Sequence, residues 1–276
     1  MATTLIRPEL VPVETKKGLL MANYYPGVGP EADQHEYDVV LMHGWLGAGT
    51  MDLWVAPYLS EHGINVSTTV RNNPHAYDFN LRDSMDLHAA CRVHSMKSAS
   101  KGSQEQKRPL IIIGHSMANI ATSSVGIYSQ KDESPYTIAA IISKAGVGYN
   151  DQPVGPGHIS RHILPWIMKT TVQRDSANVT VRSVMNFMNN PPLAVARGLH
   201  AGRANLSQHK KLLEAADIQL FEWYGTDDRL ILPPKNRSNF QTYSGDHMTP
   251  ITEPELTLEA LQTVIKLLSI QRPTAA

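Results

Sequence analysis

The chain has 276 residues, 42% of them apolar and 18% charged, and its 25 Lys and Arg balance its 25 Asp and Glu. That length suits one large domain, or a core carrying an inserted subdomain, and the composition excludes a disordered or fibrous chain. With no net charge, no overall field draws the chain to nucleic acid or an anionic membrane, and no apolar run is long enough to predict stable membrane insertion. The single cysteine, Cys91, rules out an intrachain disulfide, so a reducing, cytoplasmic setting is expected, with Cys91 as a half-buried filler on a helix. Met1–Val13 carries one arginine and no long apolar run, which predicts neither a secretory signal nor a transit peptide.

Along the chain, apolar and β-branched runs alternate with helical patterns. Strands are predicted at Leu19–Tyr25 and Tyr37–Met42, then a helix at Met51–His62 that stops at Gly63. A strand at Ile64–Val70 and a helix at Leu81–Met96 follow. Ser98–Arg108 is polar and reads as a solvated loop. Next come a strand at Leu110–Ile113, a helix at Met117–Gln130 and a strand at Ile138–Lys144. Beyond a cluster of glycines and prolines, Gly148–Leu213 holds helical patterns and no convincing strand. It is rich in large apolar residues, among them Trp166, Met168, Met185, Phe187 and Met188. It reads as a helical cap over the mouth of the sheet, interrupting a core made of residues 1–147 and 214–276. Strands at Ile218–Tyr224 and Asn239–Tyr243 and a helix at Glu255–Ile270 complete the core. The Thr252-Glu253-Pro254-Glu255 that precedes the last helix reads as a capping box with proline in the first turn. Strand–helix alternation of this kind predicts an α/β fold on a mostly parallel sheet.

Four segments carry chemistry. Leu110-Ile111-Ile112-Ile113-Gly114-His115-Ser116-Met117-Ala118 runs a buried strand into a sharp turn and then a helix. A serine at such a turn sits in a strained backbone, has small neighbours, and lifts its hydroxyl clear of the sheet edge in front of a helix N-terminus. Ser116 is therefore the candidate nucleophile, although Ala118 stands where the usual G-x-S-x-G pattern has its last glycine. Upstream, Val39-Val40-Leu41-Met42-His43-Gly44-Trp45 turns a strand into a His-Gly loop. The N–H groups of Trp45 and Met117 are the candidate oxyanion hole, each such donor being worth on the order of 3 kcal/mol in the transition state. His43 is expected to bond within its loop and orient it. Near the end, Gly225-Thr226-Asp227-Asp228-Arg229 follows a strand. Asp228 is the favoured acid, Asp227 is expected to cap the turn, and Asp151 is a remote third choice. Gly245-Asp246-His247-Met248 places His247 after the last strand, and the order Ser, Asp, His is the one this architecture requires.

Together these segments resemble the α/β-hydrolase superfamily from about Glu36 to Leu268, in its serine-nucleophile branch. His-Gly-Trp-Leu followed by Gly-His-Ser-Met, with Gly-Asp-His-Met-Thr-Pro, is similar to capped bacterial carboxylesterases. The resemblance implies an α/β-hydrolase fold with a mostly parallel sheet of the eight-stranded type. It also implies a carboxylic ester hydrolase with a catalytic triad and no cofactor or metal, and the apolar cap predicts a small-molecule ester with an apolar acyl or alcohol part as substrate. Two departures leave the subfamily open: Ala118, and the lack of the usual Gly-x-Ser after Thr69–His75. Thioester, lactone and acyl-transfer chemistry use the same residues, and a ligand-binding protein of this fold with little turnover is the alternative of another class. His158 and His162, four apart, lack the third ligand of a zinc site, and Gly27-Val28-Gly29 lacks the rest of a dinucleotide fingerprint.

Overall fold

The computed structural model describes residues 6–15, 18–30, 32, 34–44, 49–70, 82–100, 108–149, 205–235 and 239–271. In chain order these form β1 (Glu9–Thr15), β2 (Gly18–Tyr25), β3 (Asp38–Met42), α1 (Val55–Glu61), β4 (Val66–Thr69), α2 (Arg82–Ser100), β5 (Leu110–His115), α3 (Ala118–Tyr128) and β6 (Ile138–Lys144). Then follow α4 (Ser207–Ala215), β7 (Gln219–Gly225), β8 (Gln241–Tyr243), α5 (Thr249–Thr252) and α6 (Pro254–Gln271). The strands make one eight-stranded sheet in the order β1-β2-β4-β3-β5-β6-β7-β8. The pairs β1–β2 and β2–β4 are antiparallel, and every other pair is parallel. The fold is thus the α/β architecture expected from the alternation of elements.

The central strands are apolar nearly throughout because helices cover both faces. Val39, Leu41, Ile111, Ile113 and Ile142 pack on one face with Leu59 of α1 and Leu261 and Val264 of α6. Their neighbours in the pleat, Val40, Met42, Ile112 and Ile141, pack on the other face with Leu87 and Cys91 of α2, Val125 of α3 and Leu213 of α4. Cys91 is fully buried, not half-buried, and burial pushes its thiol up.

Several elements differ from expectation, among them α2, which runs on to Ser100 into the stretch read as a loop. β1 lies in a segment where no strand is predicted. Only Val11 and Val13 of β1 turn inward, and Pro12 between them argues against a strand except at a sheet edge, where β1 lies. α1 starts at Val55, not Met51, because Asp52 is held by other elements. Its Oδ1 accepts from Asn23 Nδ2 (3.1 Å), Tyr25 Oη (3.0 Å) and Thr68 Oγ1 (2.5 Å), which fixes the chain there in turns. Thr252 does not act as the start of a capping box, since its hydroxyl donates back to the carbonyls of Met248 and Thr249 in α5.

Residues 150–204, most of the expected cap, lie outside the described residues. The two ends of that segment meet, with Leu206 donating its N–H to the Gly148 carbonyl at 2.9 Å. Helix α4 runs through the expected boundary at 213, and Leu213 is buried against the core. Leu206 and Leu213 are both buried in core clusters.

One buried polar cluster anchors β3. Asp38 at its start lies 3.1 Å from His94 Nδ1 of α2, accepts from Asn65 Nδ2 at 3.1 Å and lies 3.6 Å from Arg108. The same His94 contacts Ser67 Oγ at 3.0 Å, which makes a second serine–histidine–aspartate set. The Ser67 hydroxyl hydrogen is donated to the Ala90 carbonyl (2.8 Å), so His94 Nε2 is the donor and no hydroxyl is left to attack a substrate. The set is a clamp between α2 and the sheet. Burial by itself would raise the Asp38 carboxyl pKa, but His94, then Asn65 and Arg108, outweigh it and hold it below the usual value. Stability from this group is therefore full above the ordinary carboxylate range and is lost as pH falls through the lowered value. Asp38→Asn is expected to cost about 3–5 kcal/mol at pH 7, as for breaking a buried pair. Urea unfolding of both proteins should show the gap closing as the pH drops toward 3.

Candidate active site

The parallel strands bring their C-terminal ends to one sheet edge, and β3, β5, β7 and β8 each deliver a loop there. At the end of β5, Ser116 takes a left-handed backbone with φ 56°, costly for any residue but glycine. Its surroundings over-determine it. The Ser116 N–H donates to the Lys144 carbonyl (2.9 Å), and the Ser116 carbonyl accepts from Asn119 Nδ2 (3.0 Å) and the Val147 N–H (3.2 Å). Helix α3 starts at once and crosses β5 closely. A methyl group at Gly114 would lie 2.9 Å from Thr122 Cγ2 and 3.1 Å from Asn119 Oδ1. With glycine at 114 the fully buried Ala118 methyl finds room, so the departure from the usual elbow pattern costs no geometry.

The histidine lies in the turn before α5. Asp246 and Thr249 bracket it reciprocally. The Asp246 carboxylate accepts from the N–H groups of Met248 (2.9 Å) and Thr249 (3.2 Å), while Thr249 Oγ1 accepts from the Asp246 N–H (2.8 Å). His247 Nε2 stands 3.0 Å from Ser116 Oγ, and His247 Nδ1 stands 2.8 Å from Asp228 Oδ2. Since the carboxylate can only accept, Nδ1 carries the proton and Nε2 offers its lone pair to the serine hydroxyl. The other Asp228 oxygen accepts from the N–H groups of Leu230 (2.8 Å) and Ile231 (2.9 Å), so both oxygens are aimed. Asp227 is exposed, and its N–H donates to the Gly245 carbonyl at 2.9 Å, joining the loop that carries Asp228 to the one that carries His247. Ser116, His247 and Asp228 are 7%, 5% and 2% exposed, which leaves little water to compete with these bonds.

The Met117 N–H sits at the N-cap of α3 beside Ser116, and among the described residues nothing accepts from it. Trp45 lies outside the described residues, as do Asp151, Trp166, Met168, Met185, Phe187 and Met188. His43 bonds within its loop as expected, donating from Nδ1 to the Gly44 carbonyl at 2.8 Å. Gly44 explains why that loop can approach the serine, since a methyl there would lie 2.7 Å from Ser116 Cβ and 2.8 Å from the His115 carbonyl oxygen.

Sequence reasoning missed the residues that hold the site from behind. Asn119 gave no signal beyond a polar residue in an apolar helix. His115 and Lys144 are polar ends of buried strands, paired in register. His115 Nε2 donates to the His247 carbonyl at 2.7 Å. Lys144 Nζ donates to the Leu256 carbonyl (3.1 Å) and Thr257 Oγ1 (2.9 Å), and Thr257 in turn donates to the Pro250 carbonyl (3.0 Å). Burial pushes the Lys144 amine down to about 7.

No protein-family model matches the sequence, and no curated protein matches it. Solved structures do match in fold. A carboxylesterase of the thaumarchaeon Nitrososphaera gargenis is similar with a TM-score of 0.58 at 14% identity, over 95% of this chain and 100% of that one. A peroxisomal α/β-hydrolase of Saccharomyces cerevisiae gives 0.57 at 12% identity, over 98% and 91%. The thioesterase domain of the curacin biosynthetic pathway gives 0.55 at 14% identity, over 93% and 99%. At such identities the likeness is one of fold, and that fold is the α/β-hydrolase fold. Among the described residues, no helix is long and apolar enough to cross a membrane.

Gly44→Ala is expected to destabilise the protein by about 1–3 kcal/mol through overpacking. Thermal unfolding measures it, and an unchanged midpoint would show that the His43 loop moves aside freely.

Proposed function

We propose that this chain is a serine hydrolase that cleaves carboxylic esters through an acyl-enzyme on Ser116. One observation carries the reading: a hydroxyl, an imidazole and a carboxylate in hydrogen-bonded line, with the hydroxyl raised on a strained turn at a helix N-terminus. His247 Nε2 takes the Ser116 proton as Oγ attacks the ester carbonyl, and Asp228 steadies the imidazolium that forms. The carbonyl oxygen becomes an oxyanion held by the N–H groups of Met117 and Trp45. His247 then gives its proton to the departing alcohol. In the second half, His247 draws a proton from water, the resulting hydroxide attacks the acyl carbon, and Ser116 regains its hydrogen as the acid leaves. Trp166, Met168, Met185, Phe187 and Met188 belong to the stretch Gly148–Leu213 that the sequence assigns to a cap, and their apolar character is why the substrate proposed is an ester with an apolar acyl or alcohol group. The meeting of Gly148 and Leu206 supports an inserted unit there. The carboxylesterase and thioesterase among the structural neighbours support a choice within acyl transfer.

A fluorophosphonate probe should label the wild type covalently, and Ser116→Ala should abolish labelling without unfolding the protein. Labelling that survives this substitution would falsify the assignment. On a p-nitrophenyl ester, Asp228→Asn should lower kcat by on the order of 10⁴, while Asp227→Asn, whose side chain faces solvent, should keep most activity. The reverse ranking moves the acid to Asp227. Each methylene buried in an apolar pocket contributes about 0.8 kcal/mol, so kcat/KM should rise roughly fourfold per added acyl carbon and fall once the pocket is full. A flat series across acyl lengths would mean that the apolar cap residues do not line the pocket.

A further inference from the structure

His115 is the one buried imidazole beside the triad, among the described residues, to which the proposed chemistry gives no task. It ends β5, is covalently next to Ser116, and packs its ring 4.7 Å from that of His247. We propose that His115 is a positioning residue, which sets the distance between nucleophile and base by donating its Nε2–H to the backbone carbonyl of His247. The inference rests on the roles given above to Ser116 and His247.

Three observations support it. First, the bond joins residues 132 apart in sequence at 2.7 Å, and it ties the base's own peptide unit to the residue beside the nucleophile. The Asp246–Thr249 bracket shapes the histidine turn internally but does not set how far that turn stands from the elbow. Second, the strand behind His115 is rigid, since β5 pairs with β3 and β6 in parallel register, with Gly114 opposite Met42 and His115 opposite Lys144. The other ring nitrogen faces the loop after β3, because a methyl group at Gly44 would lie 3.2 Å from His115 Nδ1. One side chain thus bears on the elbow, the histidine loop and the loop after β3. Third, a carbonyl can only accept, so Nε2 holds the ring proton. Burial, reinforced by the nearby His247, keeps the imidazole well below the usual histidine range and hence neutral. A neutral donor holds the carbonyl without repelling the cation that forms on His247. Its proton faces that carbonyl and not a substrate, so it does not compete as the base. Serine attack tolerates little misplacement, and a shift of about 1 Å can lower the rate 10²-fold.

The test compares His115→Leu, which removes the donor, with His115→Gln, whose amide N–H can reach the same carbonyl. Each is measured on an ester turned over by the wild type, together with amide exchange at Met248 and Thr249. Removing the donor should lower kcat on the order of 10²-fold with KM changed by less than about twofold, and should speed exchange at both amides. Glutamine should bring kcat back to within about tenfold of the wild type. A merely structural role would not produce that rescue or that split between kcat and KM. A folded His115→Leu protein with wild-type kcat and wild-type exchange overturns the proposal, as does a folded glutamine variant no faster than the leucine one. Should the leucine variant fail to fold, the glutamine variant decides alone, a loss beyond about 100-fold counting against the proposal and a smaller one for it. A wild type that neither turns over esters nor reacts with a fluorophosphonate removes the hydrolase reading, and the exchange comparison still decides whether His115 holds the turn.

Discussion

A serine forced to φ 56° at the end of a buried strand is the constraint on which the rest of the site depends. Such a conformation costs about 1–3 kcal/mol and persists only where neighbours leave no alternative. Here the neighbours are the Lys144 carbonyl on one side and Asn119 and the Val147 N–H on the other. The turn lifts Oγ away from the sheet while letting α3 begin directly behind it. That immediacy forces glycine at 114 and a small residue at 118, and the loop after β3 approaches closely enough to force glycine at 44. The small residues around Ser116 follow from the strain at Ser116.

Partners then meet across long separations because the parallel strands end at one edge. Asp228 comes from the loop after β7 and His247 from the loop after β8, and the two loops are stitched by the bonds from Thr226 to Tyr243 and from Asp227 to Gly245. Every polar atom of the Asp228–His247–Ser116 line has a directed partner, so rotamers are set by hydrogen bonds and packing together. Behind that line stands a second tier: Asn119 on the elbow carbonyl, Asp246 and Thr249 around the histidine, and Lys144 through Thr257 on Pro250. Ser67, His94 and Asp38 contain the same three residue types and do none of this, because the Ser67 hydrogen is donated to a helix carbonyl inside the core. Residue types alone do not make a site.

What the sequence determined by itself is whatever depends on near neighbours in the chain. Continuous apolar runs such as Ile111–Ile113 required a strand covered on both sides. Gly-His-Ser between such a strand and a helix announced the turn, Gly63 ended α1, and the order of Ser116, Asp228 and His247 followed from strand order. The weak spots were also local: β1 alternates over too few residues and contains Pro12, and the start of α1 looked helical because Asp52's partners on β2 and β4 are not visible from its own segment.

Only the tertiary structure decided which groups meet. It buried Asp228, the residue the sequence already favoured, against His247 and left its neighbour Asp227 facing solvent. It showed Leu213 to be core, and it brought Leu206 to the Gly148 carbonyl, a contact between residues far apart in the chain. It also placed His115, an unremarked letter in a serine motif, on the carbonyl of a histidine 132 residues away. Hydrogen bonds of this kind depend on distances of a few tenths of an ångström between segments that only sheet register and helix packing bring together, and no periodicity or spacing within one segment encodes those distances.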